Sequence, residues 1–333
     1  MLDRTVAPSV PSRDQRERPR AKVFLAAPRG FCAGVRRAIA AVEDALEAFG
    51  APVYVRRAIV HNLAVVRALE HKGAIFVHEL DEVPDDSVVI LSAHGVAPGV
   101  RAEAERRGLR YLDAVCPLVA KVHREVVKHH GDGHHIVLIG HEGHPEIDGT
   151  LGQIPPGAAT VVATPEEVAA LPFPRDAEIA YATQTTYSVD DAAAIIQSLK
   201  ARFARVRAPS SSDICYATTN RQAAVRQMVP KVDAVIVAGE TFSSNACRLV
   251  EVARTAGCRS VQLVGEPSHI DWTSLQGCRS IGITAAASTP ESSVSAIIER
   301  LQEVFELEVE QLGEQHESAV FKPLKVEAHA AAA

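Results

Sequence analysis

Several sequence features that would assign this chain of 333 residues to a common class are absent. No apolar run is long enough to cross a bilayer, so we expect no transmembrane segment. Residues 1–20 are polar and charged and lack the apolar core of a signal peptide, so we expect a disordered N-terminal tail over 1–21. The net charge of -6 is mild and predicts neither nucleic acid nor an anionic membrane as a partner.

Motifs of the common cofactor sites are missing too. The chain has no Walker loop, and residues 30–34 read Gly-Phe-Cys-Ala-Gly, which is not the GxGxxG fingerprint of dinucleotide sites. None of the six cysteines belongs to a CxxC pair. Because no secretory signal precedes them, we expect a reducing, cytoplasmic environment. There the thiols serve in metal ligation or catalysis more often than in disulfides.

The first informative stretch is the turn around Cys32. The apolar run Val23–Ala27 predicts a buried strand, and the apolar spacing of Val35–Phe49 predicts a helix. Cys32 lies between them, flanked by Gly30 and Gly34, which permit a sharp turn and a close approach to a bound group. Taken alone, such a cysteine is equally well interpreted as a small buried hydrophobe.

The same order of elements returns twice more, around Cys116 and Cys215. Self-similarity at a roughly fixed period indicates a repeat architecture. We therefore divide the chain into three α/β units and a C-terminal tail, over residues 22–115, 116–212, 213–312 and 313–333. Strands that alternate with helices predict mainly parallel sheets with right-handed crossovers.

Polar loops and one cysteine lie at the strand ends of each unit. Ligands bind beyond the carboxyl ends of parallel strands, so packing about a pseudo-threefold axis would bring three cysteines and six loops to one cavity. Three tandem domains with separate sites are the alternative. Three thiolates at one point suit zinc or a [4Fe–4S] cluster with one open iron, and the spacing of the cysteines does not separate the two.

The loops are rich in neutral or weakly cationic hydrogen-bond donors, which suit a phosphate or diphosphate group. The candidate donors are His61, Asn62, His94, His144, Ser243, Ser244, Asn245 and Ser288. Among the loop carboxylates, Glu146 stands out because it follows His144 just past a proline. Together with Thr185 at a neighbouring strand end, it is placed to form a proton relay to a substrate hydroxyl. The alternative role for Glu146 is to cap the helix that follows it.

These segments closely resemble the 4-hydroxy-3-methylbut-2-enyl diphosphate reductases, the LytB/IspH family. The resemblance covers about residues 22–300, in order, and departs slightly in the loop 287–291. The segments that carry it are Pro28 to Val35, His61-Asn62, Ser92 to Val96, Asp113 to His123, Gly143 to Glu146, Thr183 to Thr186, Asp213 to Gln222 and Ser243 to Asn245.

The resemblance implies a fold, a cofactor and a reaction. The fold is a pseudo-threefold trefoil of three α/β units around one [4Fe–4S] cluster per chain. The reaction is the reductive dehydroxylation of (E)-4-hydroxy-3-methylbut-2-enyl diphosphate to isopentenyl and dimethylallyl diphosphate, the last step of the methylerythritol phosphate route. A ferredoxin or flavodoxin is the electron donor that this reaction implies.

The resemblance also implies a role for each candidate residue. The cluster ligands are Cys32, Cys116 and Cys215. The diphosphate ligands are His61, His94, His144, Ser243, Ser244, Asn245 and Ser288. Thr185 contacts the hydroxyl end of the substrate, and Glu146 is the proton donor. Two other classes stay open at this point: a non-redox lyase that uses the open iron, and a cluster-binding redox sensor. A lyase would turn over without reductant, and a sensor would not need the diphosphate loops.

Overall fold

The computed structural model describes residues 18–315 and 317–326. Most of the predicted disordered tail therefore lies outside the described residues, as does the end of the predicted C-terminal tail. Within the described part, the prediction for residues 1–21 is wrong at its last positions, because the first strand, β1, already begins at Arg20. The side chains of Arg20 and Lys22 pair with glutamates of the neighbouring strand, which explains why a charged segment is extended here.

Strands and helices alternate along the described residues. The strands are β1 (Arg20–Ala26), β2 (Val53–Arg56), β3 (Ala74–Val77), β4 (Val88–Leu91), β5 (Arg110–Asp113), β6 (His135–Ile139), β7 (Ala159–Val162), β8 (Glu178–Thr183), β9 (Arg205–Arg207), β10 (Ala234–Ala238), β11 (Ser260–Val264), β12 (Ser280–Ala285) and β13 (Glu306–Leu312). The helices are α1 (Ala33–Phe49), α2 (Leu63–His71), α3 (Pro98–Arg106), α4 (Pro117–Gly131), α5 (Pro145–Leu151), α6 (Pro165–Ala170), α7 (Val189–Arg202), α8 (Tyr216–Met228), α9 (Ser244–Thr255) and α10 (Glu291–Gln302).

The strands form three sheets in which every observed pair is parallel. The strand orders are β3-β2-β4-β5, β7-β6-β8-β9 and β11-β10-β12-β1-β13. The predicted α/β class with parallel sheets is thus confirmed. Strands that are buried on both faces read as continuous apolar runs, and β4 and β10 are buried at every position.

The three sheets repeat one plan. In both four-stranded sheets, the first strand in sequence lies between the second and the third, and the fourth lies next to the third. The five-stranded sheet has the same arrangement if β10, β11 and β12 are taken as its first three strands and β1 as its fourth, with β13 added beyond β1 at the edge. The fourth strands are β5, β9 and β1, and these are the strands that lead to Cys116, Cys215 and Cys32. The strand before Cys32 therefore belongs to the sheet of β10, β11 and β12, and not to the sheet of the strands that directly follow it in the chain. The division of the chain at residues 22, 116 and 213 stays a prediction.

The described residues form two compact units. One unit comprises the residues up to Cys32 together with Ala217–Ser318, and it holds the five-stranded sheet. Its core covers both faces of β10: Ile236 packs with residues of α10 on one face, and Val237 packs with Met228 of α8 on the other. The second unit comprises Ala33–Tyr216 and the residues from Ala319 on, and it holds both four-stranded sheets.

The sequence analysis does not predict strand β13. β13 reads Glu-Leu-Glu-Val-Glu-Gln-Leu and is mostly exposed, so its apolar signal is weak. It nevertheless pairs with β1 along its whole length, from Glu306 opposite Arg20 to Leu312 opposite Ala26. As a result, the chain that follows Leu312 runs beside the loop that leads from β1 to Cys32.

Candidate active site

Each predicted ligand cysteine directly precedes a helix. Cys32 comes before α1, Cys116 is the N-cap of α4, and Cys215 comes before α8. No disulfide involves any of them, and each side chain is neither fully buried nor fully exposed. Negative charge is stabilised near the N-terminus of a helix, so the three positions are suited to thiolates.

The backbone holds the three cysteines in the same way. The N–H of Cys32 donates to the carbonyl of Ala287 at 3.2 Å, that of Cys116 to Ala93 at 3.0 Å, and that of Cys215 to Thr185 at 3.0 Å. Each acceptor is the second residue after the third strand of a sheet, namely β12, β4 and β8. Every cysteine is therefore fixed beside a loop that carries a candidate for substrate binding, either Thr185 itself or the residue after the acceptor.

The chemistry of the three cysteines suits an iron–sulfur cluster. Within residues 18–315 and 317–326, no group of three or more His, Cys, Asp or Glu side chains is placed to hold one metal ion. A four-iron cluster binds its cysteines through different irons, and thiolates at three equivalent helix starts are a donor set that such a group takes.

The three candidate histidines lie together in the unit that contains both four-stranded sheets. The ring centroids of His61 and His94 are 4.2 Å apart, those of His61 and His144 are 5.5 Å apart, and those of His94 and His144 are 5.8 Å apart. His61 and His94 follow strands of the first sheet, and His144 follows β6 of the second. The tertiary structure thus brings strand-end loops of two sheets to one place.

Burial keeps these imidazoles neutral. It lowers the pKa of His61 to about 4 and that of His144 to about 3, and it lowers the pKa of His94 well below its ordinary value. The neighbouring His61 adds to the fall in the pKa of both His94 and His144, and His144 adds to that of His94. The Nδ1 atom of His144 accepts from the N–H of Glu146 at 3.2 Å, so the ring proton of His144 is on Nε2. That Nε2 atom is buried and has no hydrogen-bond partner within the described chain, which leaves a donor available to an anion.

Glu146 and Thr185 form a buried hydrogen-bonded pair. The N–H of Thr185 donates to Oε1 of Glu146 at 2.6 Å, and its hydroxyl donates to Oε2 at 2.8 Å. Glu146 is 3% exposed, whereas Glu142, a few residues earlier in the same loop, is exposed. The side chain that caps α5 is that of His144, whereas Glu146 lies in the first turn of this helix and its carboxylate accepts from Thr185.

The environment of Glu146 tunes its proton affinity. Burial raises its pKa to about 7 against the opposing effect of the two Thr185 hydrogen bonds, and the nearby carboxylate of Asp213 adds to the rise. A carboxyl with such a pKa is partly protonated near neutral pH, which is the requirement for a general acid. Thr185 is placed to pass this proton onwards, because a hydroxyl both accepts and donates hydrogen bonds.

Asp213 is a residue whose place the sequence analysis missed. It is 5% exposed, accepts from the N–H of Thr183 at 3.0 Å and from the ammonium of Lys121 at 2.9 Å. Burial raises its pKa to about 6, although Lys121 opposes the rise. An acidic residue just before a cysteine was the available signal, but only the fold shows that it lies near Glu146.

The remaining candidates lie in the other unit, around the loop after β12. The hydroxyl oxygens of Ser243 and Ser288 are 3.4 Å apart, and the side-chain oxygen of Asn245 accepts from the N–H of Ala287 at 2.9 Å. Ser243 is also the N-cap of α9, whose first residue is Ser244. The four candidates therefore lie at one helix N-terminus, which favours an anion.

No helix among the described residues has the length and apolar composition that crossing a membrane requires. Three parallel sheets built on one plan, each with a polar strand-end loop and a strand that leads to a cysteine before a helix, define the class as an α/β protein with repeated units. The chain belongs to the LytB protein family, whose model matches residues 23–302.

Individual relatives agree with this assignment. The chain is 52% identical to a 4-hydroxy-3-methylbut-2-enyl diphosphate reductase of Cereibacter sphaeroides over 305 residues, which are 92% of this chain and 96% of the relative. It is 51% identical to the enzyme of the same name from Paracoccus denitrificans over 311 residues, 93% of this chain and 98% of the relative. The solved structure of the E-1-hydroxy-2-methyl-but-2-enyl-4-diphosphate reductase from Plasmodium falciparum is similar with a TM-score of 0.86 and 38% identity, covering 92% of this chain and 96% of that one.

Proposed function

We propose that this chain is an oxidoreductase that converts (E)-4-hydroxy-3-methylbut-2-enyl diphosphate to isopentenyl and dimethylallyl diphosphate. A solved relative with 29% identity and a TM-score of 0.60 is the reductase described as the terminal enzyme of the non-mevalonate pathway. The observation that carries the proposal is the buried pair of Glu146 and Thr185. This pair places a protonatable carboxyl two residues after His144, which is one of the three clustered neutral histidines.

In this proposal the diphosphate is bound by uncharged donors. The rings of His61, His94 and His144 donate to phosphate oxygens, and the N-terminus of α9 supplies the other donors with Ser243, Ser244, Asn245 and Ser288. Hydrogen bonds to a charged acceptor are stronger than neutral ones, so neutral imidazoles suffice to bind the anion. Their low pKa values also leave the proton that the reaction needs with Glu146.

Glu146 delivers a proton to the hydroxyl oxygen of the substrate, directly or through Thr185. Hydroxide is a poor leaving group, and protonation lets it depart as water. Reduction of the allyl fragment takes up two electrons and one further proton, so the complete reaction releases one water and yields either of two isomeric products. The N–H of Thr185 stabilises the carboxylate that is left on Glu146.

We assign the electron-transfer group as a [4Fe–4S] cluster, one per chain, with Cys32, Cys116 and Cys215 as ligands. When bound, the cluster supplies the electrons and a Lewis-acidic iron for the substrate oxygen. The equivalent positions of the three cysteines before α1, α4 and α8 support this ligand set. We expect a cytoplasmic ferredoxin or flavodoxin to supply the electrons.

An anaerobic assay tests the proposal. The purified chain is incubated with the allylic diphosphate, with and without a chemical reductant, and the products are analysed by chromatography. We expect isopentenyl and dimethylallyl diphosphate only in the presence of reductant. Turnover without reductant would indicate a lyase, and a chain that binds a cluster but converts nothing would indicate a redox sensor.

A further inference from the structure

Each helix that follows a ligand cysteine carries a basic residue in its second turn: Arg37 on α1, Lys121 on α4 and Arg221 on α8. The function proposed above uses none of the three. Each donates to backbone carbonyls of a segment that leads to a cysteine, and that cysteine is never the one before its own helix.

Arg37 contacts the segment before Cys116. Its Nη1 atom donates to the carbonyl of Val115 at 3.0 Å and to that of Ala114 at 3.3 Å. Its Nε atom donates to the carbonyl of Lys322 at 2.9 Å. The guanidinium thus joins the residues just before Cys116 to the C-terminal segment of the chain.

Lys121 makes the equivalent contacts before Cys215. Its ammonium donates to the carbonyl of Ser211 at 2.7 Å, to that of Ser212 at 3.2 Å and to the carboxylate of Asp213 at 2.9 Å. Glu125 of the same helix accepts from the N–H of Ser210 at 3.1 Å and lies 3.4 Å from the Lys121 ammonium. Lys121 is therefore the α4 side chain that binds the two carbonyls nearest the Cys215 turn, and Glu125 binds the segment one residue earlier.

Arg221 completes the set at the loop before Cys32. Its side chain is 0% exposed. It donates to the carbonyl of Gly30 through Nε at 3.1 Å and Nη2 at 2.7 Å, and to the carbonyl of Ala217 at 2.9 Å. Both carboxylate oxygens of Glu317 accept from the same guanidinium, at 3.1 and 3.2 Å. All five N–H donors of this buried arginine are used.

The C-terminal segment supports the same loop at a second point. The side-chain amide of Gln315 accepts from the N–H of Arg29 at 3.1 Å and donates to its carbonyl at 2.7 Å, as a neighbouring strand would. Gly313 makes this approach possible, because a side chain there would lie 2.8 Å from the carbonyl oxygen of Ala27. The loop 27–30 is thereby held by residues that lie beyond the family match, which ends at residue 302.

We propose that Arg37, Lys121 and Arg221 are positioning residues that hold the segments before Cys116, Cys215 and Cys32, respectively, with Glu317 as the counter-ion of Arg221. The proposal rests on the proposed function in that these cysteines are taken to bind the cluster. A lysine or arginine is suited to the task, because one side chain offers several donors to the backbone carbonyls of a segment.

The proposal predicts a crossed pattern of cysteine exposure, which global destabilisation would not produce. Arg37→Met should expose Cys116, and Lys121→Met should expose Cys215, although each substitution lies on the helix after a different cysteine. Glu317→Gln should expose Cys32. The matched controls are Arg36→Met, Lys128→Met and Glu314→Gln. Each of these substitutions removes the same charge as its test variant, but from an exposed side chain.

The measurement is alkylation followed peptide by peptide. Anaerobically purified full-length protein is treated with an iron chelator and iodoacetamide, and mass spectrometry gives the rate for each cysteine while absorbance reports cluster loss. We expect the affected cysteine to react about 10- to 100-fold faster than in the matched control, the range for losing hydrogen bonds from a charged donor. Cys258, which is 7% exposed, is the reference for global unfolding and should not change.

Two outcomes would overturn the proposal. One is equal alkylation rates in each variant and its control. The other is a parallel rise at all cysteines including Cys258, which would assign the three residues to general stability. If the wild-type chain holds no iron, the proposed function fails, but the crossed pattern can still be measured in the cluster-free chain and decides the positioning roles separately.

Discussion

Replacing Glu146 by glutamine tests the assignment of the acid most directly. The side-chain oxygen of the new residue accepts from the N–H of Thr185, and its amide donates to the Thr185 hydroxyl, so both contacts of the pair persist, the second with its direction reversed. Glutamine therefore closely resembles the protonated glutamate in shape and hydrogen bonding, but it cannot release a proton. We expect turnover to fall about 10²- to 10⁴-fold, the usual contribution of general acid–base catalysis.

The raised pKa of Glu146 adds two pH effects with definite signs. An acid must be protonated to act, so the turnover of the wild-type protein should decline as the pH rises through about 7, where Glu146 loses its proton. The folded state also binds this proton more tightly than the unfolded state, so the stability that it contributes is present in acid and is lost as the pH rises. The rise of the pKa of Glu146 from its ordinary value of 4.5 to about 7 corresponds to a penalty of about 3 kcal/mol for ionising the buried carboxyl.

The assay compares Glu146→Gln with wild type under anaerobic conditions for turnover, iron content and urea unfolding at acidic and alkaline pH. From the acidic to the alkaline pH, the free energy of unfolding of the wild type should fall by up to about 3 kcal/mol more than that of the variant, because the glutamine has no proton to lose. Glu142→Gln is the matched control, since Glu142 is exposed in the same loop. Turnover within a few-fold of normal would refute the role of Glu146 and assign the acid to another group, first to a water held by Thr185.

The other predictions concern the cluster, the anion site and the partner of the acid. Iron and sulfide analysis should show loss of the cluster on serine substitution of Cys32, Cys116 or Cys215, whereas Cys258→Ser should keep it because that thiol packs in the core; full cluster content in a Cys116 variant would contradict the ligand set. Calorimetry should show weaker diphosphate binding, by about 1.5–3 kcal/mol, when asparagine replaces His61, His94 or His144, with the exposed His71 as control. Thr185→Val removes a hydrogen bond that lowers the pKa of Glu146, so the alkaline limb of the pH–rate profile should shift to higher pH. A limb at the wild-type pH would show that Glu146 does not govern it.

Much of the site was accessible from sequence because its residues occupy repeated positions. The cysteines stand at strand-to-helix turns, and the donors stand just after buried strands, so period and apolar pattern are sufficient to locate them. Strands with many charged residues were harder to predict from the sequence, because their apolar pattern is weak. β13 is rich in glutamate, and only its pairing with β1 reveals it.

The sequence by itself determined the class of elements, their threefold repetition and the residue types that are available for chemistry. These follow from local patterns, since apolar runs must be buried and a turn before a helix can be recognised within a few residues. It did not determine the neighbours of Glu146, the grouping of the three histidines, or the basic residues that hold the cysteine segments. Each of those depends on contacts between positions far apart in the chain, such as Arg221 with Gly30 and Glu317. The pKa of a carboxyl depends on the burial and hydrogen bonds around it, so only the tertiary structure explains why burial raises the pKa of Glu146 to about 7.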